Sequence, residues 1–155
     1  MKAISLIGIS MLFIVFSNVA KANSVDDVRS AQRIVVLDDS EGIVFSNFCG
    51  FYELRALVVK GLRGAVGDDT GLSNPLYELR ILGRFGETIV YIGDHWIKSQ
   101  DGASSLSDAT FERIVELVSR RKGQGIPLSK VDSVNARAIR QFNRSDYKED
   151  NRCLQ

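Results

Sequence analysis

An apolar run near the start of the chain decides how much of it is left to fold. Lys2 precedes residues 4–16, which are apolar except for serine and glycine, and the small-x-small triplet Ala20, Lys21, Ala22 follows. These are the three parts of a cleavable secretory signal peptide. The run is shorter than the roughly 20 apolar residues of a spanning helix. We therefore expect residues 1–22 to be removed; the alternative is an uncleaved N-terminal anchor.

The mature chain would then have 133 of the 155 residues and no transmembrane segment, and it would be periplasmic or secreted. That length suits one domain with a modest core. We expect a polar lead-in over residues 23–32 and an α+β domain over residues 33–123. A basic C-terminal helix and a partly disordered tail are expected over residues 124–155.

Short runs rich in β-branched and aromatic residues, separated by turn residues, predict a series of strands. The period then changes, because Phe111, Ile114, Val115 and Val118 form one apolar helix face after a capping Ser107 or Asp108. The fold class is therefore α+β: an antiparallel sheet of about five to six strands packed against one main amphipathic helix, with a weaker C-terminal helix over residues 131–142. The predicted strands are residues 33–37, 43–49, 51–59, 76–82, 87–92 and 95–99.

The charges are unevenly distributed. Residues 23–119 have a net charge of −6 and residues 120–155 a net charge of +5. The basic part could pair with the acidic body or with an anionic partner, or it could be a solvated face. Cys49 and Cys153 are the only cysteines. In an exported chain they are candidates for a disulfide bond, with a buried Cys49 thiol or an intermolecular bridge through Cys153 as alternatives.

Part of the chain resembles a known group of proteins. Pro75, a tyrosine-bearing strand, the stretch from Val90 to Gly93, then Trp96, Lys98 and a helix opening at Ser107 resemble an uncharacterised family of small exported bacterial domains. The similarity covers residues 74–122. It implies the hairpin-and-helix fold and an exported setting, and it implies no activity. The cysteine that this family usually has before the proline is Asn74 here.

His95 and Trp96 are the candidates for a site on the sheet. His95 is the only histidine, which excludes multi-histidine metal sites, and it could be a general base, a pH-sensitive contact or an ordinary surface residue. The acidic clusters at residues 38–41 and 68–69 lack the alternating spacing of a calcium loop and are typical of turns. We expect no metal and no cofactor.

Arg137, Arg140 and Arg144 lie at i, i+3 and i+7, so a helix there would carry a basic stripe. Without interleaved aromatic residues this stripe does not indicate nucleic acid binding. The leading hypothesis is an exported, non-enzymatic binding protein, of an inhibitor or immunity type, with a protein or envelope component as its partner. The alternatives are an envelope hydrolase that uses an acidic residue with His95, and a surface protein that binds anionic groups through the basic segment.

Overall fold

Helices and strands alternate in a mixed order along the chain in the computed structural model, which describes residues 23–46, 49–65, 72–83 and 86–133. Four helices, one of them a short 3-10 helix, and seven strands lie within these residues. The elements in chain order are α1 (Ser24–Arg29), β1 (Arg33–Leu37), β2 (Glu41–Phe45), α2 (Cys49–Leu62), β3 (Tyr77–Gly83), β4 (Gly86–Gly93), β5 (Trp96–Ser99), β6 (Gly102–Ser105), α3 (Asp108–Ser119), β7 (Ile126–Pro127) and the 3-10 helix (Leu128–Lys130).

The strands form one antiparallel sheet in the order β6-β5-β4-β3-β1-β2-β7. This confirms the α+β class with an antiparallel sheet. Two details differ from the expectation, since seven strands are present where five to six were predicted and two long helices, α2 and α3, stand where one was predicted. The sheet is long because β1 pairs with β3 across the α2 crossover, which joins two strand groups into one layer.

The strand predicted over residues 51–59 is wrong, because this stretch lies in α2. Its aromatic and β-branched content suggested a strand, but Phe51, Leu54, Val58 and Leu62 are buried at spacings of three and four residues. This helical spacing, together with the helix formers from Glu53 to Leu57, outweighs the strand preference of the aromatic and β-branched residues. The neighbouring prediction over residues 43–49 also needs correction: β2 ends at Phe45 and α2 begins at Cys49.

Strand β6 was not predicted, because Gly102, Ala103, Ser104 and Ser105 lack the residues that strands favour. The turn that precedes these residues brings them alongside β5, where Ser105 lies opposite Trp96. The hydroxyl of Ser104 donates to the carbonyl oxygen of Gly61 at 2.7 Å, which joins this strand to the end of α2.

Helix α3 begins as predicted. Ser107 is the N-cap, and its side chain accepts a hydrogen bond from the backbone N–H of Thr110. Ile114 and Val118 of the predicted apolar face are buried. Gly123 has a φ of 81° and follows a turn at residues 120–122, where α3 has ended. Such a conformation favours glycine.

The core lies between one face of the sheet and helices α1, α2 and α3. Ile34, Phe45, Leu54, Ile81 and Ile114 are among its fully buried members. Helix α1, which falls in the predicted polar lead-in, is attached by buried polar contacts as well. The hydroxyl of Thr88 donates to the Asp27 carboxylate at 2.8 Å, and the Ser24 N–H donates to the Asp101 carboxylate at 2.7 Å.

The other face of the sheet, called the outer face here, carries the alternate residues of each strand, including Val35, Arg80, Ile89 and Tyr91. The chain after α3 continues to the edge of the sheet beside β2. The carboxylate of Glu41 accepts backbone N–H bonds from Gly123 at 2.6 Å and Gly125 at 2.8 Å, and β7 then pairs with β2.

Candidate functional site

One end of the outer face holds a shallow depression with an apolar floor. Leu76, Tyr91 and Leu128 line it, together with the residues around the β1–β2 turn. Leu76 is 50% exposed and Leu128 is 43% exposed, and they are two of the three large apolar residues that are exposed within the described part of the chain. Exposed apolar side chains that share one concave surface are typical of a recognition site.

Each of these side chains reaches the depression for a local reason. Leu76 precedes β3, and its backbone N–H donates to the carbonyl oxygen of Ile92 at 2.8 Å, which fixes it beside β4. Tyr91 lies on β4 opposite Glu78 of β3 and Lys98 of β5. Leu128 directly follows Pro127, whose strand pairs with β2. Three separate parts of the sequence therefore meet at this end of the sheet.

Carboxylates border the apolar floor. Asp38, Asp39 and Glu78 line the same depression. Lys122 lies 3.6 Å from Asp38, while Glu78 is paired with Arg80 at 2.9 Å. The pKa of Arg80 is raised, first by its hydrogen bond with Glu78 and then, against the cost of burial, by the charges of Glu78, Glu87 and Asp132. The rim is polar and largely acidic.

The Asp38 carboxylate holds the β1–β2 turn together. One of its oxygens accepts the N–H and hydroxyl of Ser40, both at 2.8 Å, and the N–H of Glu41 at 2.9 Å. Burial by itself raises the pKa of Asp38, but the two backbone bonds, the Ser40 hydroxyl and Lys122 outweigh it, so the net pKa is lowered. Burial, and secondarily the Asp38 charge, raises the pKa of the neighbouring Tyr77.

This lowered pKa predicts an acid-dependent loss of stability. The Asp38 contribution is fully present above the unfolded-state value of about 3.9 and is lost as the pH falls through the lower folded-state value. Replacing Asp38 with Ala should cost about 1–2 kcal/mol of unfolding free energy at pH 7. Urea unfolding should show the difference from the wild type shrinking as the pH falls below about 4. The control Asp39→Ala removes a neighbouring exposed charge; an equal cost there would contradict the assignment.

His95 lies at the tip of the β4–β5 hairpin with a φ of 58°. Its Nδ1 is 2.7 Å from the Asp94 carboxylate, its Nε2 is 3.3 Å from that of Asp108, and its ring packs on Phe111 with centroids 4.5 Å apart. A neutral imidazole has one N–H and can donate to one carboxylate, whereas the protonated ring can donate to both. The arrangement joins the hairpin to the start of α3 and engages both ring nitrogens.

Trp96, the other predicted site residue on the sheet, is 8% exposed. Its Nε1 donates to the hydroxyl of Ser73 at 3.0 Å, and its ring lies against Gly93. His95 and Trp96 are thus neighbours with different surroundings: His95 is partly open to solvent, and Trp96 packs under the segment that leads to Leu76.

The other predicted residues lie largely outside the described part of the chain. Arg137, Arg140, Arg144 and Cys153 fall there, as does the acidic pair at residues 68–69. Cys49 begins α2, but its pairing with Cys153 stays a prediction. Residues 131–133 are helical, which agrees with the start of the predicted helix over residues 131–142.

Sequence reasoning did not point to Leu76, Tyr91 or Leu128. The sequence did contain a signal for Tyr91. Alternation along β4 places its side chain on one face of the sheet and those of the buried Val90 and Ile92 on the other. Nothing local indicates that Leu128 comes to the same place, since the β7 pairing brings it there from 37 residues further along the chain.

Two features are absent from the described residues: a cluster of metal ligands and a membrane-spanning helix. They contain no group of three or more His, Cys, Asp or Glu side chains placed to hold a metal ion. None of the helices they form has the length and apolar character needed to cross a membrane. No protein-family model, curated protein or solved structure matches the chain, so the resemblance over residues 74–122 stays an expectation.

Proposed function

We propose that this protein is an exported, non-enzymatic binding protein that recognises another protein through the depression formed by Leu76, Tyr91 and Leu128. The observation that carries the proposal is the exposure of two leucines in one concavity beside a tyrosine. Binding surfaces combine an apolar or aromatic centre with a polar rim that excludes water. The partner is then a protein segment with an apolar side chain for the centre.

The charges around the depression indicate which residues the partner should carry beside its apolar side chain. Asp38, Asp39 and Glu78 surround the apolar floor, so basic residues on either side of the partner's apolar anchor complement it. Part of this negative charge is balanced by Lys122 and Arg80. We therefore expect the acidic rim to affect the association rate and its salt dependence more than the final affinity.

Export rests on the signal-like sequence of residues 1–22. Asn23, the residue after the predicted cleavage site, caps α1 by accepting the N–H of Val25 with its side chain, so cleavage after Ala22 would leave this helix whole. The hydrolase alternative would use Asp94 or Asp108, whose carboxylates lie 2.7 and 3.3 Å from the ring nitrogens of His95. It ranks lower because these contacts occupy both nitrogens, and neither is left to exchange a proton with a substrate. The anionic-surface alternative depends on arginines outside the described residues.

The test is affinity capture from the native envelope or medium with the tagged mature chain, comparing the wild type with Leu76→Glu. A charge placed in the centre of an interface should weaken binding by about 100-fold, or roughly 3 kcal/mol, so the partner should be lost. The matched control is Ala56→Glu, which adds the same charge at an exposed position of α2.

A partner that is retained by Leu76→Glu, or lost equally with Ala56→Glu, would exclude the depression as the binding surface. The intact mass of the same sample tests the export prediction, which requires cleavage after Ala22. A mass that still includes residues 1–22 would contradict it.

A further inference from the structure

The segment after α3, residues 122–133, lies along the edge of the sheet and is called the strap here. Val131 is its one buried residue, at 2% exposed, and the others are exposed or half-buried. Its strand β7 has two residues, and one of them is Pro127, which has no N–H to donate. The strap therefore buries little apolar surface and shares few backbone hydrogen bonds with the sheet.

Polar contacts lie at the two ends of the strap. At one end the Glu41 carboxylate accepts the N–H groups of Gly123 and Gly125. At the other end Asp132 lies 2.6 Å from Arg80, but its side chain is 87% exposed. Ion pairs so open to water contribute little to stability. The apolar contact of the neighbouring residue 131 is therefore the main attachment at this end.

Val131 occupies a space that exists because residue 42 is glycine. A Cβ at position 42 would lie 2.8 Å from the side chain of Val131 and 3.3 Å from those of Leu37 and Val35. The valine is thus seated on the backbone of β2, with apolar side chains of β1 beside it. Removing its methyl groups should weaken the attachment of the strap without touching the core on the other face.

Leu128, which lines the depression with Leu76 and Tyr91, belongs to the strap and lies between these attachments. The N–H of Val131 donates to the carbonyl oxygen of Leu128 in the 3-10 helix. Leu128 is itself 43% exposed, so its own contacts hold it only weakly. Its position therefore depends on the docking of the strap, and on Val131 in particular.

We infer that the strap opens as a unit while the sheet stays folded, and that opening removes the Leu128 side of the depression. A segment with a single buried side chain opens at a lower free energy than strands that contribute to the core. Val131 is the residue that keeps the strap closed. The opening itself is independent of the proposed function. Its consequence rests on that function: a partner that needs Leu128 binds only the closed form, so its apparent affinity falls as the open population rises.

The test is amide hydrogen exchange, followed by nuclear magnetic resonance on the full mature chain and corrected for the intrinsic rate of each sequence. The reporters are the amides of Gly125 and residue 131, which flank Leu128, and those of the central strands β1 and β3. Val131→Ala should accelerate exchange at the strap amides about tenfold or more, because it removes methyl groups that are buried only in the closed form. The matched control Ser129→Ala changes an exposed residue of the strap and should leave these rates unchanged.

Leu54→Ala separates local opening from unfolding of the whole domain. It removes a core side chain that the open and closed forms share. Exchange in β1 and β3 should therefore rise about 100-fold, while the strap amides keep their wild-type rates.

Equal acceleration of the strap and the sheet by Leu54→Ala would mean that the strap opens only when the domain unfolds, which overturns the inference. An unchanged strap rate in Val131→Ala, an equal acceleration by Ser129→Ala, or a change at Gly125 without one at residue 131 would overturn it too. The measurement needs no partner, so its failure is distinct from a failure of the proposed function in the capture experiment.

Discussion

Replacing Gly93 with Ala should destabilise the protein by about 3 kcal/mol, at the upper end of the usual cost of overpacking. A Cβ at position 93 would lie 2.0 Å from Cε2 of the Trp96 ring. The ring cannot easily move away, because its Nε1 donates to Ser73 and the residue is buried. The unfolding free energy, measured by urea titration, should fall accordingly.

The control is Gly64→Ala, where the nearest atom to an added Cβ is 3.7 Å away. That contact is ordinary, so this variant should keep the stability of the wild type within about 0.5 kcal/mol. Equal unfolding free energies for Gly93→Ala and Gly64→Ala would show that the indole does not lie on Gly93. The result bears on function, because the Trp96–Ser73 bond holds the segment that leads to Leu76.

Replacing Leu54 with Ala should cost about 3 kcal/mol, since it deletes a fully buried side chain from the core. Leu54 projects from α2 between the helix layer and the sheet, where it contacts the main apolar cluster. Thermal unfolding should show a lower midpoint, and urea unfolding a lower free energy with an unchanged slope.

Ala56→Glu distinguishes the helix from the strand first expected here. In a strand, residues 54 and 56 would share one face, and a glutamate at position 56 would be as damaging as the loss of Leu54. In α2, Ala56 is exposed, so the variant should cost less than about 0.5 kcal/mol. A large loss for Ala56→Glu would contradict the helix.

The sequence was sufficient where local chemistry decides the structure. The Ser107 cap and the apolar face of α3 lie within one short stretch of sequence, and the hairpins from β3 to β5 have turn residues at their ends. The sequence was insufficient where pairing between strands that are distant along the chain determines the structure. Residues 102–105 become a strand only through β5. Residues 49–62, by contrast, do carry a helical signal in the run of helix formers from Glu53 to Leu57, and the prediction gave too much weight to their aromatic and β-branched content.

The same division applies to the candidate site. His95 could be singled out because it is a unique residue type, and the structure gives it two carboxylate neighbours. Leu76 and Leu128 could not be singled out, because a sequence does not distinguish an exposed leucine from a buried one. Their shared depression exists only through the pairing of β7 with β2 and the bond of Leu76 to Ile92.

The most direct test of the binding proposal is a nuclear magnetic resonance titration of the isotope-labelled mature chain with the captured partner. Amide shifts are expected to concentrate at residues 37–39, 76–78 and 128 and at Tyr91, with little change along α2. Shifts centred on α2, or on the hairpin around His95 with the depression unaffected, would contradict it.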